Sequence, residues 1–336
     1  MTESNRRVVS PDDSLPPVEP PSAAFLVQLF LVPALIVGII VFVWLAFHWL
    51  AQLGNDPEGY VRALKRPSEG RWQAALNLAN DLRGPGGAAL KADAALAGEL
   101  AAILDAEAAS GRPVAAGYGG EQSRTLSAYL CRALGEFAVP EAAPPLVARA
   151  ADPADPETAR AAVEALAVLA TNLAATGAGF RDPAGVAAAL DSAARSADAR
   201  LRSAAAFTLG VTGGAAAAER LAALEADPAE DVRFNAAIAR ARLGRADAYA
   251  TLEEMLRLPD VVPAAGDEAE QARRYRRALV VVNAIKAVGL LVDAGAAPPA
   301  AVTAALEPLR ADAIADVRAA AAALFLKLDR LSARSP

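Results

Sequence analysis

Histidine and cysteine are almost missing from this chain of 336 residues: His48 and Cys131 are the only ones. Ser/His/Asp triads, Cys/His dyads and His/Cys zinc sites each need residues that such a chain lacks, so those chemistries are excluded at the outset. A single cysteine also excludes a disulfide within the chain. Aromatic residues are sparse, at 5%. The apolar content of 54% is largely alanine. Alanine has the highest helix propensity and loses no side-chain entropy, so runs such as Ala215 to Ala218 and Ala319 to Ala323 predict close-packed helices and no sheet.

Charge of neither sign accumulates. The 33 Lys+Arg against 39 Asp+Glu give a formal −6. No strongly basic domain is present to suit a phosphate backbone, so nucleic acid is not an expected partner.

Between Glu19 and Asp56 no charged residue occurs, and Ala23 to Leu53 is apolar except for Gln28, His48 and Gln52. As a helix rising ~1.5 Å per residue this stretch would be about 46 Å long, more than the roughly 30 Å of a hydrocarbon core. Pro33 and Gly38 are tolerated in spanning helices, and Trp44, Trp49 and His48 stand where an interfacial belt is expected. The apolar run is too long for a cleaved signal peptide and no A-x-A pattern follows it, which favours an uncleaved single-pass anchor over residues 23–53. Arg6 and Arg7 precede it, while Arg62, Lys65, Arg66 and Arg71 follow, a bias that places the rest of the chain on the cytoplasmic side. Residues 1–22 read as a disordered, Pro-rich tail and residues 54–67 as a juxtamembrane helix and linker.

Beyond Asp56, Ala/Leu-rich stretches alternate with short breaks containing Asp, Pro or Gly, the rhythm of paired helices. Three segments read almost alike: Asp198-Ala-Arg-Leu-Arg202, Asp231-Val-Arg233 and Asp316-Val-Arg318, each leading into alanines. Weaker copies centre on Arg71, Arg124 and Arg160. Arg124 to Arg160 is 36 residues, Arg160 to Arg202 is 42, Arg202 to Arg233 is 31, and Arg233 to Arg318 is 85, or two units. The missing copy lies in Arg273-Arg-Tyr-Arg-Arg277, where more than one arginine could hold the register. Gly135, Gly213 and Gly244 each fall eleven residues after the aligned arginine, where a left-handed C-terminal glycine is expected. Val232, Ala236, Ala239 and Leu243 form one apolar stripe at helical spacing, matched by Val317, Ala321, Leu324 and Leu328. Asp198 and Asp231 stand where N-caps belong. Two helices per unit of ~39 residues predict an all-α fold: an α-solenoid of about seven antiparallel helix pairs over residues 68–331, with a short tail at 332–336.

An Asp-Val-Arg opening followed by alanines and a Leu-Gly close resembles the HEAT-repeat family, including its compact HEAT-like branch related to phycobilisome lyases. That resemblance implies a right-handed stack of helix pairs and an inner helix layer that presents a binding groove. It also implies an internal ladder in which Asp and Arg of successive repeats pair, through Arg124, Arg160, Asp198, Arg202, Asp231, Arg233, Asp316 and Arg318. Ser123 and Ala159 stand before Arg124 and Arg160 where the family pattern has an acid.

Few residues invite a chemical role. Arg273, Arg274, Arg276 and Arg277 form the densest basic patch and could grip an acidic partner, although Asp267, Glu268 and Glu270 lie a turn away and offset much of the charge. Gly117-Tyr-Gly-Gly120 lacks the Lys-Ser/Thr of a phosphate loop and reads as a linker. Cys131 reads as a small buried hydrophobe, with no histidine nearby to activate it. No catalytic constellation, cofactor site or metal site emerges, and the chain is expected not to be an enzyme. The expected function is a membrane-anchored scaffold whose groove binds a membrane-associated protein. The alternatives are an enzyme or enzyme subunit of bilin-lyase type, for which fold analogy is the only support, and a structural subunit of a membrane complex.

Overall fold

The computed structural model describes residues 22–52, 57–68, 70–152, 154–260 and 267–332. The tails expected over residues 1–22 and 332–336 lie outside the described residues, apart from Ser22 and the backbone of Ser332, as do the side chains of His48 and Trp49. Sixteen α-helices and no strand occur among the described residues. The chain divides into two units, Met1–Asp56 and Pro57–Pro336.

The first unit contains one helix, α1 (Ala23–Gln52), which runs through Pro33 without a break. Its Val27–Phe47 stretch has mean hydropathy 2.9 and buries nothing against protein. It is long and apolar enough to cross a bilayer, a property that the helix of a signal sequence shares.

In the second unit seven helical hairpins follow one another: α2 (Pro57–Lys65) with α3 (Arg71–Arg83), then, after the single turn of α4 (Ala88–Lys91), α5 (Ala94–Ala109) with α6 (Tyr118–Gly135). Next come α7 (Ala143–Ala150) with α8 (Pro156–Ala175), α9 (Pro183–Ala193) with α10 (Ala199–Thr212), and α11 (Ala215–Leu224) with α12 (Glu230–Arg242). The last are α13 (Tyr249–Leu256) with α14 (Glu268–Asp293) and α15 (Ala300–Leu306) with α16 (Ala315–Ser332). The second member of each hairpin packs on that of the next, in the order α3, α6, α8, α10, α12, α14, α16. These helices make one layer. The first members make the other, with α2 on α5, α5 on α7, α7 on α9, α9 on α11, and α13 on α15. The fold is therefore an α-solenoid, and the arginine-bearing segments are successive helices of a single layer.

Local chemistry sets the helix starts. Asp93, Asp155, Asp182, Asp198 and Asp267 each accept a hydrogen bond from a backbone N–H in the first turn of the helix they precede. Pro156 and Pro183 follow their capping aspartates, where a missing N–H costs nothing. Asp231 departs from the expected pattern: Ala229 is the N-cap of α12, and Asp231 sits exposed within the first turn.

Small residues set how closely consecutive helices of the first layer pack. Gly213 and Gly244 end α10 and α12 with φ near +70°, the left-handed conformation that glycine adopts at no steric cost. Gly135 differs. It is the last residue of α6, its φ is not positive, and a Cβ there would lie 2.9 Å from atoms of Ala165 on α8. Gly210 makes the same approach from α10, with Ala239 of α12 2.5 Å from the Cβ position. α12 then serves two core clusters, turning Val232, Ala236 and Ala239 toward one and Phe234, Ala237 and Ala241 toward the other.

Two segments depart from the sequence reading. Residues 57–65, read as part of a juxtamembrane segment, form the first helix of the second layer, and Leu64 is fully buried against its neighbours. Tyr118, Gly119 and Gly120, read as linker, are the first turn of α6, with Gly117 at φ +83° before it. A Cβ on Gly120 would lie 1.9 Å from the Ala115 carbonyl oxygen, so tight return of the preceding loop explains this glycine.

Replacing Gly210 or Gly135 with valine should destabilise the protein by about 1–3 kcal/mol, because a side chain must force two close-packed helices apart. Gly98→Ala in α5, where a Cβ meets nothing within 4 Å, should instead stabilise by about 0.5–1 kcal/mol. Urea denaturation of the detergent-solubilised full chain, followed by circular dichroism, measures both; equal effects at Gly98 and Gly210 would contradict the close-approach explanation.

Candidate functional site

The first layer carries two polar systems, one inside the stack and one on its open face. The internal system is built on arginines. Arg202 spans Asp227 with both arms, Nε to Oδ2 at 2.7 Å and Nη2 to Oδ1 at 2.9 Å, while its Nη1 donates to the carbonyls of Ser196 and Ala197. Arg233 repeats the second half of this pattern, donating to the Asp227 carbonyl at 3.2 Å, and sends its other nitrogen to Glu254 at 2.9 Å. Arg318 donates to the carbonyls of Asp312 and Ala313 at 2.6 and 3.1 Å. In all three the arginine ties down the turn five and six residues before it.

Arg277 resolves the register of the basic cluster. Its guanidinium donates to the Asp312 carboxylate and to the Leu258 carbonyl, so Arg277 reaches forward to the next repeat as Arg202 does. At the start of the stack Arg71 plays an analogous part, donating to the Leu64 carbonyl at 2.7 Å and to Glu107 at 2.9 Å. Arg112 and Ser123 also donate to the buried Glu107 carboxylate. Burial pushes the Glu107 carboxyl upward, but hydrogen bonds from Ser123, Arg71 and Arg112 outweigh it and hold the group below the usual carboxylate range. The Arg202 hydrogen bonds, aided by the Ala229 N–H, likewise hold Asp227 low, and Asp227 raises Arg202 in return.

The remaining ladder candidates are placed differently. Arg124 donates to the carbonyls of Pro113 and Ala115, and Arg160 pairs with Glu164 within its own helix at 2.6 Å. Asp198 caps α10 and lies near enough to Arg202 to stabilise its charge. Asp231 and Asp316 are exposed in first turns and bond no arginine among the described residues. The aspartates that do join repeats are Asp227 and Asp312, beside the glutamates Glu107 and Glu254, and the sequence reading missed all four. A signal was available for the aspartates: each stands six residues before its arginine, in Asp227-x-x-x-Asp-Val-Arg233 and Asp312-x-x-x-Asp-Val-Arg318.

The basic patch is not brought together as one surface. Arg273 bonds Glu270, Arg274 lies 3.5 Å from Asp260, and Arg277 is engaged inside. Arg276 alone of the four lines the open face. There it meets a groove of about 680 Å³ across α8, α10, α12 and α14, with Arg160, Glu164, Arg200, Ser203, Phe207 and Asn235. Asn235 donates to Ser203 Oγ at 2.7 Å across the helix junction. Phe207 is 43% exposed, and the Arg242 guanidinium lies over its ring at 5.3 Å. A second trough, about 560 Å³, continues along α12, α14 and α16.

The exposure of large apolar side chains is lopsided. In the second unit the described ones are Val114, Tyr118, Val168, Phe207, Tyr275, Leu279, Leu290, Leu326 and Leu331. All but Val114 lie on α6, α8, α10, α14 or α16, hence on the first layer, and none on the second. Elsewhere Cys131 is fully buried, and burial pushes its thiol up to about 12. No group of three or more His, Cys, Asp or Glu residues able to hold a metal ion occurs among the described residues.

No family model matches the chain, and no curated protein does. Solved structures are similar to it at low identity. Human deoxyhypusine hydroxylase, in complex with glycerol, shares 21% identity over 81% of this chain and 95% of its own, with a TM-score of 0.31. Two engineered proteins share 20% and 16% identity over 80% and 82% of this chain and 94% and 99% of theirs, with TM-scores of 0.30 and 0.31. The α-solenoid rests on the layered hairpins of the chain itself. The expectation that the chain is not an enzyme is corrected: a structure similar to it, deoxyhypusine hydroxylase, is an enzyme. The likeness transfers no activity to this chain.

Asp227→Asn should cost about 1.5–3 kcal/mol, the worth of hydrogen bonds to a charged group that is almost enclosed. Because the folded-state pKa of Asp227 is depressed, its contribution is present above the unfolded value of about 3.9 and is lost as pH falls through the lower, folded value. Urea midpoints measured from pH 6 downward should thus fall less steeply for Asp227→Asn than for the wild type. Parallel profiles would show that the Arg202 pair does not link the repeats.

Proposed function

We propose that the chain is a single-pass, membrane-anchored scaffold whose first helix layer binds a membrane-associated protein. Helix α1 supplies the anchor. The basic residues Arg62, Lys65, Arg66 and Arg71 that follow it favour the cytoplasmic side for the solenoid. The observation that supports the reading is the restriction of exposed large apolar side chains on helices of the second unit to the first layer, where Phe207 borders a groove about 680 Å³ in volume. Stacked hairpins spread that surface over many helices, and tethering concentrates it among proteins of the same bilayer. The bilin-lyase alternative finds less support, since a tetrapyrrole site would gather aromatics and the groove lining contains Phe207 alone.

Purification of the tagged full chain from its native membrane in mild detergent should bring down a membrane protein in fixed stoichiometry. Phe207→Asp combined with Arg276→Glu should reduce that recovery at least several-fold with the helical circular dichroism unchanged. Equal recovery from the variant would remove the face from the binding site. Protease protection of a C-terminal tag in intact cells tests the side of the membrane, with protection expected.

A further inference from the structure

The trough along α12, α14 and α16 has a chemistry of its own. Its floor is made of small residues, Ala287 and Gly289 on α14 with Ala320 and Ala323 on α16, and Ile238 and Leu290 add apolar surface. The charged side chains that line it are Arg242, Lys286, Lys327 and Asp293. Lys327 bonds Asp293 at 2.7 Å and the Gly289 carbonyl at 3.2 Å. Arg242 and Lys286 are exposed and pair with no carboxylate among the described residues; Arg242 rests only on the Phe207 ring. Three basic groups against one acid leave +2 in a chain whose total is −6. The adjoining groove balances Arg160, Arg200 and Arg276 against Glu164, Glu230 and Asp231 and is neutral, so the positive excess belongs to the trough.

We propose that this trough receives an acidic amphipathic helix of the partner, a refinement that rests on the scaffold reading above. Two physical points select a helix. The floor is built from helices whose backbone groups are already bonded internally, so an extended peptide would find almost no partners for its own N–H and C=O groups, whereas a helix brings them satisfied. Small floor residues also let a third helix approach at the 8–10 Å typical of helix packing, with its apolar stripe on the alanines and its flanking carboxylates at Arg242 and Lys286. Charge complementarity then sets the sign of the flanks. An alkyl chain fits poorly, because the trough is open and would leave much of it in water.

The test uses the full chain in nanodiscs of neutral phosphatidylcholine. Its probes are two fluorescent peptides of about 18 residues, both with leucine at i, i+3, i+4 and i+7. One carries glutamate and the other lysine at the flanking positions. Anisotropy should show the glutamate peptide binding more tightly, by roughly tenfold or more. Arg242→Glu with Lys286→Glu should weaken it by a similar factor and should favour the lysine peptide, while Arg66→Glu, an exposed charge on a distant segment, should leave it unchanged. No preference between the peptides, or an unaltered affinity in the double variant, would overturn the inference. Stoichiometric recovery of a native partner that still depends on Phe207 and Arg276 would in that event leave the scaffold reading standing.

Discussion

How near two first-layer helices can come governs this molecule. A hairpin of short alanine-rich helices buries too little surface to stand alone, so its order depends on leaning against the next. Gly135 against Ala165 and Gly210 against Ala239 bring the backbones of α6 and α8, and of α10 and α12, almost into touch. At these glycine–alanine junctions, dispersion between close backbones adds to that of the buried leucines. A phenyl or indole ring at such a junction would part neighbouring helices of the layer.

Close stacking creates a second requirement, which the arginines meet. Each hairpin closes through a tight turn between its two helices, whose carbonyls cannot all be bonded within a helix. Arg202, Arg233 and Arg318 reach back five and six residues to those carbonyls. Arg202 and Arg277 extend the arrangement to the aspartate of the following turn, which joins neighbouring repeats at defined spacing. Such pairs contribute more to register than to net stability, because removing two charges from water offsets much of what their attraction returns.

The sequence signals were strongest where one residue type does one job. Helix starts at Asp198 and at the Asp-Pro pairs, the helix-terminating glycines Gly213 and Gly244, and the layer of arginine-bearing helices all follow from local rules. What escaped were residues whose role is set by distant partners. Gly135 shares its position in the repeat with Gly213 yet serves helix contact instead of a turn, and only the neighbour Ala165 reveals it. Asp227 and Asp312 were overlooked in favour of Asp231 and Asp316, which sit closer to the arginine in sequence but on the exposed side of the first turn. The adjacency of Arg273, Arg274, Arg276 and Arg277 suggested one basic surface, but successive helical positions diverge by about 100°: Arg274 and Arg277 share Asp260, while Arg273 turns to Glu270 and Arg276 to the open face.

The open face shows why a repeat architecture separates stability from recognition. Helix α14 turns Val281, Ile285 and Val288 into the core while Tyr275, Leu279 and Leu290 remain outside. The inward set is constrained by the two helices on either side. The outward set is constrained by nothing within the chain, and in a monomer exposed leucines at those positions weaken solubility without adding stability. Polar replacements there would cost the fold almost nothing. Their apolar character, repeated on α8, α10 and α16 but missing from the described residues of the second layer, is the surface on which the proposed binding rests.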